Sequence, residues 1–128
     1  MPDSTADPRQ ALGRAGETAA EAALEKADYR IVARRYRTRA GEIDLVALDG
    51  RTVVFIEVKT RTGGAFGRPS LAVNARKRGR IARVAAIFLS RHDLERAPCR
   101  FDVVEVRPAA DGLLARHIRD AFRLGLWR

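Results

Sequence analysis

One stretch, Gly41 to Lys59 (GEIDLVALDGRTVVFIEVK), restricts the fold of this chain more than any other. It reads as two apolar strands joined by an Asp49-Gly50 turn, with Asp44 inside the first strand and Glu57 and Lys59 ending the second. A charged group inside an apolar strand carries a desolvation cost. Two carboxylates and a lysine meeting on one sheet would offset that cost by holding a divalent cation. That combination is the equipment for cutting a phosphodiester.

The geometry follows from the turn. With Asp49-Gly50 as a two-residue loop, Leu48 faces Arg51 and Asp44 lies opposite Phe55. Side chains alternate along a strand, so Asp44, Glu57 and Lys59 share one face, and Ile43, Leu45, Val54, Ile56 and Val58 take the other. Asp44 and Glu57 are then diagonal neighbours, roughly 7 Å apart at the backbone and less at the side chains. One hard cation with oxygen ligands at about 2.1 Å bridges such a pair and keeps several waters. A three-residue turn would send the two acids to opposite faces; the Asp-Gly pair favours the tighter loop.

The rest of the chain supplies a scaffold. Leu12, Ala15, Gly16, Ala19, Ala20, Ala23 and Leu24 recur at helical spacing as a narrow stripe of small residues, suited to packing on a sheet. Tyr29 to Arg37 is predicted as a first strand, and Thr60 to Pro69 as a mobile loop. A second helix is expected from an Asn74 cap to about Ser90, burying Ile81, Val84, Ala85, Phe88 and Leu89. Arg100 to Val106 reads as a strand, Asp111-Gly112 as a turn, and Leu113 to Ile118 as a final strand. A helix, a three-strand meander, a crossover helix and a further strand make an α/β fold with a mixed sheet, because a helical crossover invites a parallel neighbour. Residues 1–10 are polar and read as a disordered tail, with 11–128 as one domain.

Several of these segments together resemble a known family. Gly13-x-x-x-Glu17-x-x-Ala20 on the first helix, Gly41-Glu42-Ile43-Asp44, Phe55-Ile56-Glu57-Val58-Lys59-Thr60-Arg61, Lys77 opening a later helix, and Arg100-Phe101-Asp102-Val103-Val104 are similar to the YraN-like family of small bacterial proteins. That family lies in the PD-(D/E)xK nuclease superfamily and is similar in core to archaeal Holliday junction resolvases. The resemblance runs from Gly13 to Phe122. The superfamily's proline before the metal-binding aspartate is Ile43 here, as the YraN-like pattern accepts.

The resemblance implies a restriction-endonuclease-like fold, a mixed sheet flanked by helices, and an endonuclease acting on DNA. Mg²⁺ or Mn²⁺ would be held by Asp44, Glu57 and the Val58 carbonyl, with Glu17 binding a second ion or a metal-bound water. Lys59 would orient the attacking water or offset transition-state charge. Arg61, Arg68, Lys77 and Arg80 would hold the nucleic-acid backbone. Cutting both strands of a junction would call for a homodimer.

Charge agrees with a polyanionic partner. The 128 residues carry 25 Lys+Arg against 16 Asp+Glu, a formal charge of +9, and the basic residues recur from Arg30 to Arg100 instead of forming a tail. No stretch joins a basic face to large apolar residues, so a membrane-surface role is not expected. No signal peptide or membrane span is recognisable, and a single cysteine, Cys99, excludes an internal disulfide; a cytoplasmic location is the expectation. Cys99 beside Pro98 reads as a small buried filler. No Cys/His cluster supports zinc, and no Gly-rich phosphate loop occurs.

Each candidate has a plainer role available. Asp44 would also serve as a strand-end acid paired with Arg37 or Arg39. Glu57 and Lys59 would also serve as exposed ion-pair formers, although the Val53-Val54-Phe55-Ile56 run argues for a central strand. Glu17, at the edge of the helical stripe, is either a surface acid or a member of the site, and Lys77 sits on the inward stripe of its helix. Asp102 is expected in a structural salt bridge, and Glu42 shares the face of Asp44. Tyr36 and Phe66 would stack on bases or pack in the core, and His92 and His117 lack partners at metal spacing. A nucleic-acid- or ribonucleoprotein-binding domain with a vestigial nuclease site remains an alternative, as does a protein-interaction module.

Overall fold

The computed structural model describes residues 8–62 and 75–122. Helix α1 (Pro8–Lys26) is followed by strands β1 (Arg30–Thr38), β2 (Gly41–Asp49) and β3 (Thr52–Thr60), helix α2 (Ala75–Arg91), and strands β4 (Cys99–Ala109) and β5 (Gly112–Phe122). The five strands form one mixed sheet in the order β1-β2-β3-β4-β5. Only β3 and β4 are parallel, and they are the two strands that the α2 crossover joins. This is an α/β fold consistent with a restriction-endonuclease-like arrangement. Helix α1 begins at Pro8, inside the segment read as a tail, where a proline lacking its N–H costs the first turn nothing. The Asn74 cap, Phe66 and Arg68 lie outside the described residues.

Alternation along the central strands splits the core in two. Val53, Phe55, Phe101 and Val103 pack with Ile81, Val84, Ala85, Phe88 and Leu89 of α2. Val54, Ile56, Val104 and Val106 pack with Ala20 and Leu24 of α1. The helices therefore cover opposite faces. The whole α2 stripe expected from periodicity is buried, whereas on α1 only Gly16, Ala20 and Leu24 are buried, Ala19 packs beside them half-buried, and Ala15 is exposed. Gly16 matters for position: a methyl group there would overlap Thr60 Oγ1, so its absence lets α1 close on the end of β3.

Two expectations about the hairpin need correction. The pairing is Asp49↔Thr52, so the loop is Gly50-Arg51 and not Asp49-Gly50. Gly50, at φ 61°, takes the first central position as in a type II′ turn, while the Asp49 carboxylate is engaged by Arg100 (3.0 Å) and Arg119 (3.5 Å). The register moves by two residues, so the faces keep their parity but the partners change. Ile43 also departs from the expected face: it joins Val46 on the α2 side, while Leu45 and Ala47 lie on the α1 side. The alternation breaks at Asp44, between pairs Tyr36↔Ile43 and Arg34↔Leu45, where β1 carries Arg35 at φ 49°.

Candidate metal and phosphodiester site

The β2–β3 ladder ends at Leu45↔Ile56, and the same register continued by one residue sets Asp44 directly against Glu57. The acids are thus closer than the diagonal placement expected from an Asp49-Gly50 turn. Beyond Leu45 a side chain replaces the backbone ladder: the Val58 N–H donates to Asp44 Oδ2 at 2.8 Å. Glu57 continues the α2-facing row of Val53 and Phe55, and its Oε1 accepts from Lys77 Nζ in the first turns of α2. An apolar recess lined by Ile43, Phe55, Ile81, Phe101 and Phe122 runs up to Glu57.

This setting raises the Asp44 carboxyl to about 7. Burial contributes most, the negative charge of Glu57 adds to it, and the Val58 N–H opposes both; the charge of Glu17 on α1 raises it further. Glu17 itself is ion-paired with Arg35 at 3.2 Å. Among the described residues, no three His, Cys, Asp or Glu side chains stand together as a metal site. Glu17 stands close enough for its charge to act on Asp44. Two facing carboxylates, of which Glu57 has Lys77 as its counter-ion, still offer hard oxygen donors that fit Mg²⁺ or Mn²⁺, which take one or two carboxylates and fill the remaining positions with water.

The basic residues distribute unevenly around this pair. Lys59 follows Glu57 on the same row of β3, and its side chain makes no hydrogen bond or ion pair among the described residues. Lys77 is drawn into the acidic pair. Arg61 Nε lies 3.2 Å from Glu105 Oε2, and Arg80 is exposed on α2. Helix α2 opens with Arg76, Lys77, Arg78 and Arg80 and has no acid in its first turn. That is the reverse of what the helix dipole favours, and a nearby polyanion would relieve it. Arg78 also stacks over Phe122 at 5.4 Å.

Other candidates resolve into structural roles. Glu42 pairs with Arg37 at 2.7 Å, so neither the Glu42 carboxylate nor Arg37 is committed to Asp44. Tyr36 packs edge-on against Phe88 at 5.1 Å, and its hydroxyl accepts from Arg91 at 3.0 Å. Burial pushes the Cys99 thiol up to about 11, which leaves it an inert filler. Asp102, fully buried, accepts from Arg100 (3.1 Å), His117 (2.6 Å), Tyr29 (3.4 Å) and the Asp120 N–H (2.9 Å). Sequence reasoning missed Glu105, a carboxylate 1% exposed between Arg61 and Arg116. The signal was present: Glu105 interrupts Val103-Val104-x-Val106 as Glu57 interrupts its own apolar run.

Comparisons with known proteins place these residues in context. Residues 16–106, from Gly16 to Val106, match the family profile described as "Uncharacterised protein family UPF0102". The chain is 54% identical over 112 residues to a UPF0102 protein of Symbiobacterium thermophilum, covering 87% of this chain and 95% of that one. A UPF0102 protein of Syntrophus aciditrophicus is 44% identical over 116 residues, 91% of each chain. One from Nocardia farcinica is 47% identical over 113 residues, 84% of this chain and 89% of its own.

Proposed function

The chain belongs to the UPF0102 (YraN) family, and from its site we propose a metal-dependent endonuclease that hydrolyses phosphodiester bonds in DNA, with branched or junction DNA among the substrates to test. The observation that carries this reading is the facing pair Asp44 and Glu57, half-buried at the end of the β2–β3 ladder with Lys59 next on the same row. Asp44, Glu57 and the Val58 carbonyl would hold Mg²⁺ or Mn²⁺, which when bound lowers the pKa of its water and offsets charge on phosphoryl oxygens. Lys59 orients the attacking water and neutralises charge that develops at phosphorus. Glu17 tunes Asp44 through its field and keeps the carboxyl ready to exchange its proton for a cation. Arg61, Arg68, Lys77 and Arg80 provide backbone contacts that carry affinity without sequence preference.

The Lys77–Glu57 ion pair favours a second reading. A lysine on a ligand carboxylate is what a vestigial site retains when it binds nucleic acid or ribonucleoprotein without cutting. One experiment separates the two: labelled junction, flap, duplex and single-stranded substrates incubated with Mg²⁺, Mn²⁺ or EDTA. Cleavage with either metal and none in EDTA supports the endonuclease. Retention of every substrate uncut, with affinity indifferent to metal, supports the binding domain.

A further inference from the structure

Glu105 is a buried carboxylate on the α2 face of the sheet, and the endonuclease reading leaves it without a role. It lies on β4, in the row of Phe101 and Val103, and pairs in register with Lys59 of β3 and Arg116 of β5. Its two oxygens go to different arginines: Oε2 to Arg61 Nε at 3.2 Å and Oε1 to Arg116 Nη2 at 2.9 Å. The carboxylate is 1% exposed, whereas the Arg61 and Arg116 side chains are 42% and 29% exposed. Burying a carboxylate is costly, and a solvated Arg on an edge strand needs no such anchor. What the anchor does accomplish is to hold two guanidinium groups, one just past the end of β3 and one on β5, in one orientation across β4. With Lys59 opposite it in register, Glu105 has three described cations around it beside the acidic pair.

Spacing ties this group to the site. Glu57, Lys59 and Arg61 follow one another at every second residue, and each step along a strand face is about 6.6 Å. We propose that Arg61 and Arg116, oriented by Glu105, form a clamp for a backbone phosphate adjacent to the one held at Asp44, Glu57 and Lys59. Glu105 is a positioning residue: it touches no substrate, and it acts by reducing the freedom that the arginines would lose on binding. A planar fork suits a phosphodiester's paired oxygens in a way that a lysine ammonium does not. The inference rests on the nucleic-acid-binding part of the proposed function and is independent of cleavage.

The test exploits a conflict of sign. Glu105→Gln raises the net charge of the protein by one, so a surface that binds by charge alone binds DNA more tightly. A clamp that loses its anchor binds more weakly. Anisotropy of a short fluorescein-labelled DNA duplex, in EDTA and over a series of salt concentrations, is expected to show about tenfold weaker binding for Glu105→Gln. Arg116→Lys keeps the charge and should weaken binding about fivefold. In an Arg61→Ala/Arg116→Ala background, adding Glu105→Gln should weaken binding no further. Equal or tighter binding by a cooperatively folded Glu105→Gln variant overturns the clamp and leaves the nuclease reading standing. If Glu105→Gln does not fold, unchanged affinity of Arg116→Lys overturns it instead. A wild-type protein that does not bind the duplex at low salt overturns the proposed function and the clamp with it.

Discussion

Asp44 and Asp102 sit in the same sheet, and burial pushes the carboxyl of each upward, yet they end on opposite sides of the ordinary range. Asp44 rises to about 7. Asp102 falls, because hydrogen bonds from His117 and the Asp120 N–H, together with Arg100, outweigh its burial. The difference lies in what surrounds each carboxylate. Asp102 has four donors in contact, one of them the cation Arg100; Asp44 has one backbone donor and two negative neighbours, Glu57 and Glu17. The first arrangement fastens β4 to β5 and to the chain leaving α1. The second keeps negative charge in a low-dielectric place where folding gains nothing from it. A carboxylate left under-compensated in this way marks a binding site for a cation better than burial does.

The largest effect should come from removing the compensated acid. Asp102→Ala leaves Arg100 and His117 facing a buried gap and should cost about 3–5 kcal/mol in urea denaturation; a loss below about 1 kcal/mol would mean that the network contributes no more than a surface ion pair. Next in size is the chemistry at the other region. Lys59→Ala should slow single-turnover cleavage roughly 100-fold, while metal binding and most DNA affinity persist. Cleavage at the wild-type rate would make Lys59 a bystander. Lys77→Ala should do the reverse, weakening DNA binding more than the cutting step.

The third effect has the opposite sign to the first. Asp44→Asn should stabilise the metal-free protein by roughly 2 kcal/mol at pH 8, since it removes a carboxylate whose ionised form the folded state disfavours. The folded carboxyl titrates near 7 against 3.8 in the open chain. The folded state thus holds this proton more tightly, and wild-type stability falls as pH rises from about 4 to about 7. The advantage of Asp44→Asn should therefore vanish below pH 4. Asp102, shifted downward, behaves inversely: its contribution is present above the ordinary carboxylate range and disappears as acid reaches its folded pKa. Denaturation midpoints across pH that lack the Asp44 trend would break the comparison. The smallest effect is metal stabilisation. Mg²⁺ or Mn²⁺ at about ten times its dissociation constant should add roughly 1.4 kcal/mol, seen as a raised Tm in the wild type and absent in Asp44→Asn.

Periodicity carried most of the fold. The α2 stripe, the central character of β3 and the parallel partner beyond the crossover are all present, because each depends on apolar spacing that neighbouring residues enforce. The turn was misplaced because Asp-Gly and Gly-Arg each satisfy a two-residue loop, and local preference does not choose between them. What chose was remote: Arg100 of β4 and Arg119 of β5 engage Asp49 and keep it in the strand. Ile43 took an unexpected face for a related reason, since the break at Asp44 is shared with Arg35 on a different strand.

Among the site residues, Asp44, Glu57 and Lys59 were legible because charge inside an apolar strand is conspicuous in one dimension. Their mutual distance was not, nor was the pairing of Lys77 with Glu57 or of Glu17 with Arg35. By itself the sequence determined which residues are costly to bury and which helix and strand faces would hide the rest, since both follow from side-chain chemistry and from periods of 3.6 and 2. Only the tertiary structure decided which of the buried acids would be compensated. Compensation requires partners from other strands within hydrogen-bonding reach, and electrostatic energy in a low-dielectric interior depends on those distances instead of on separation along the chain.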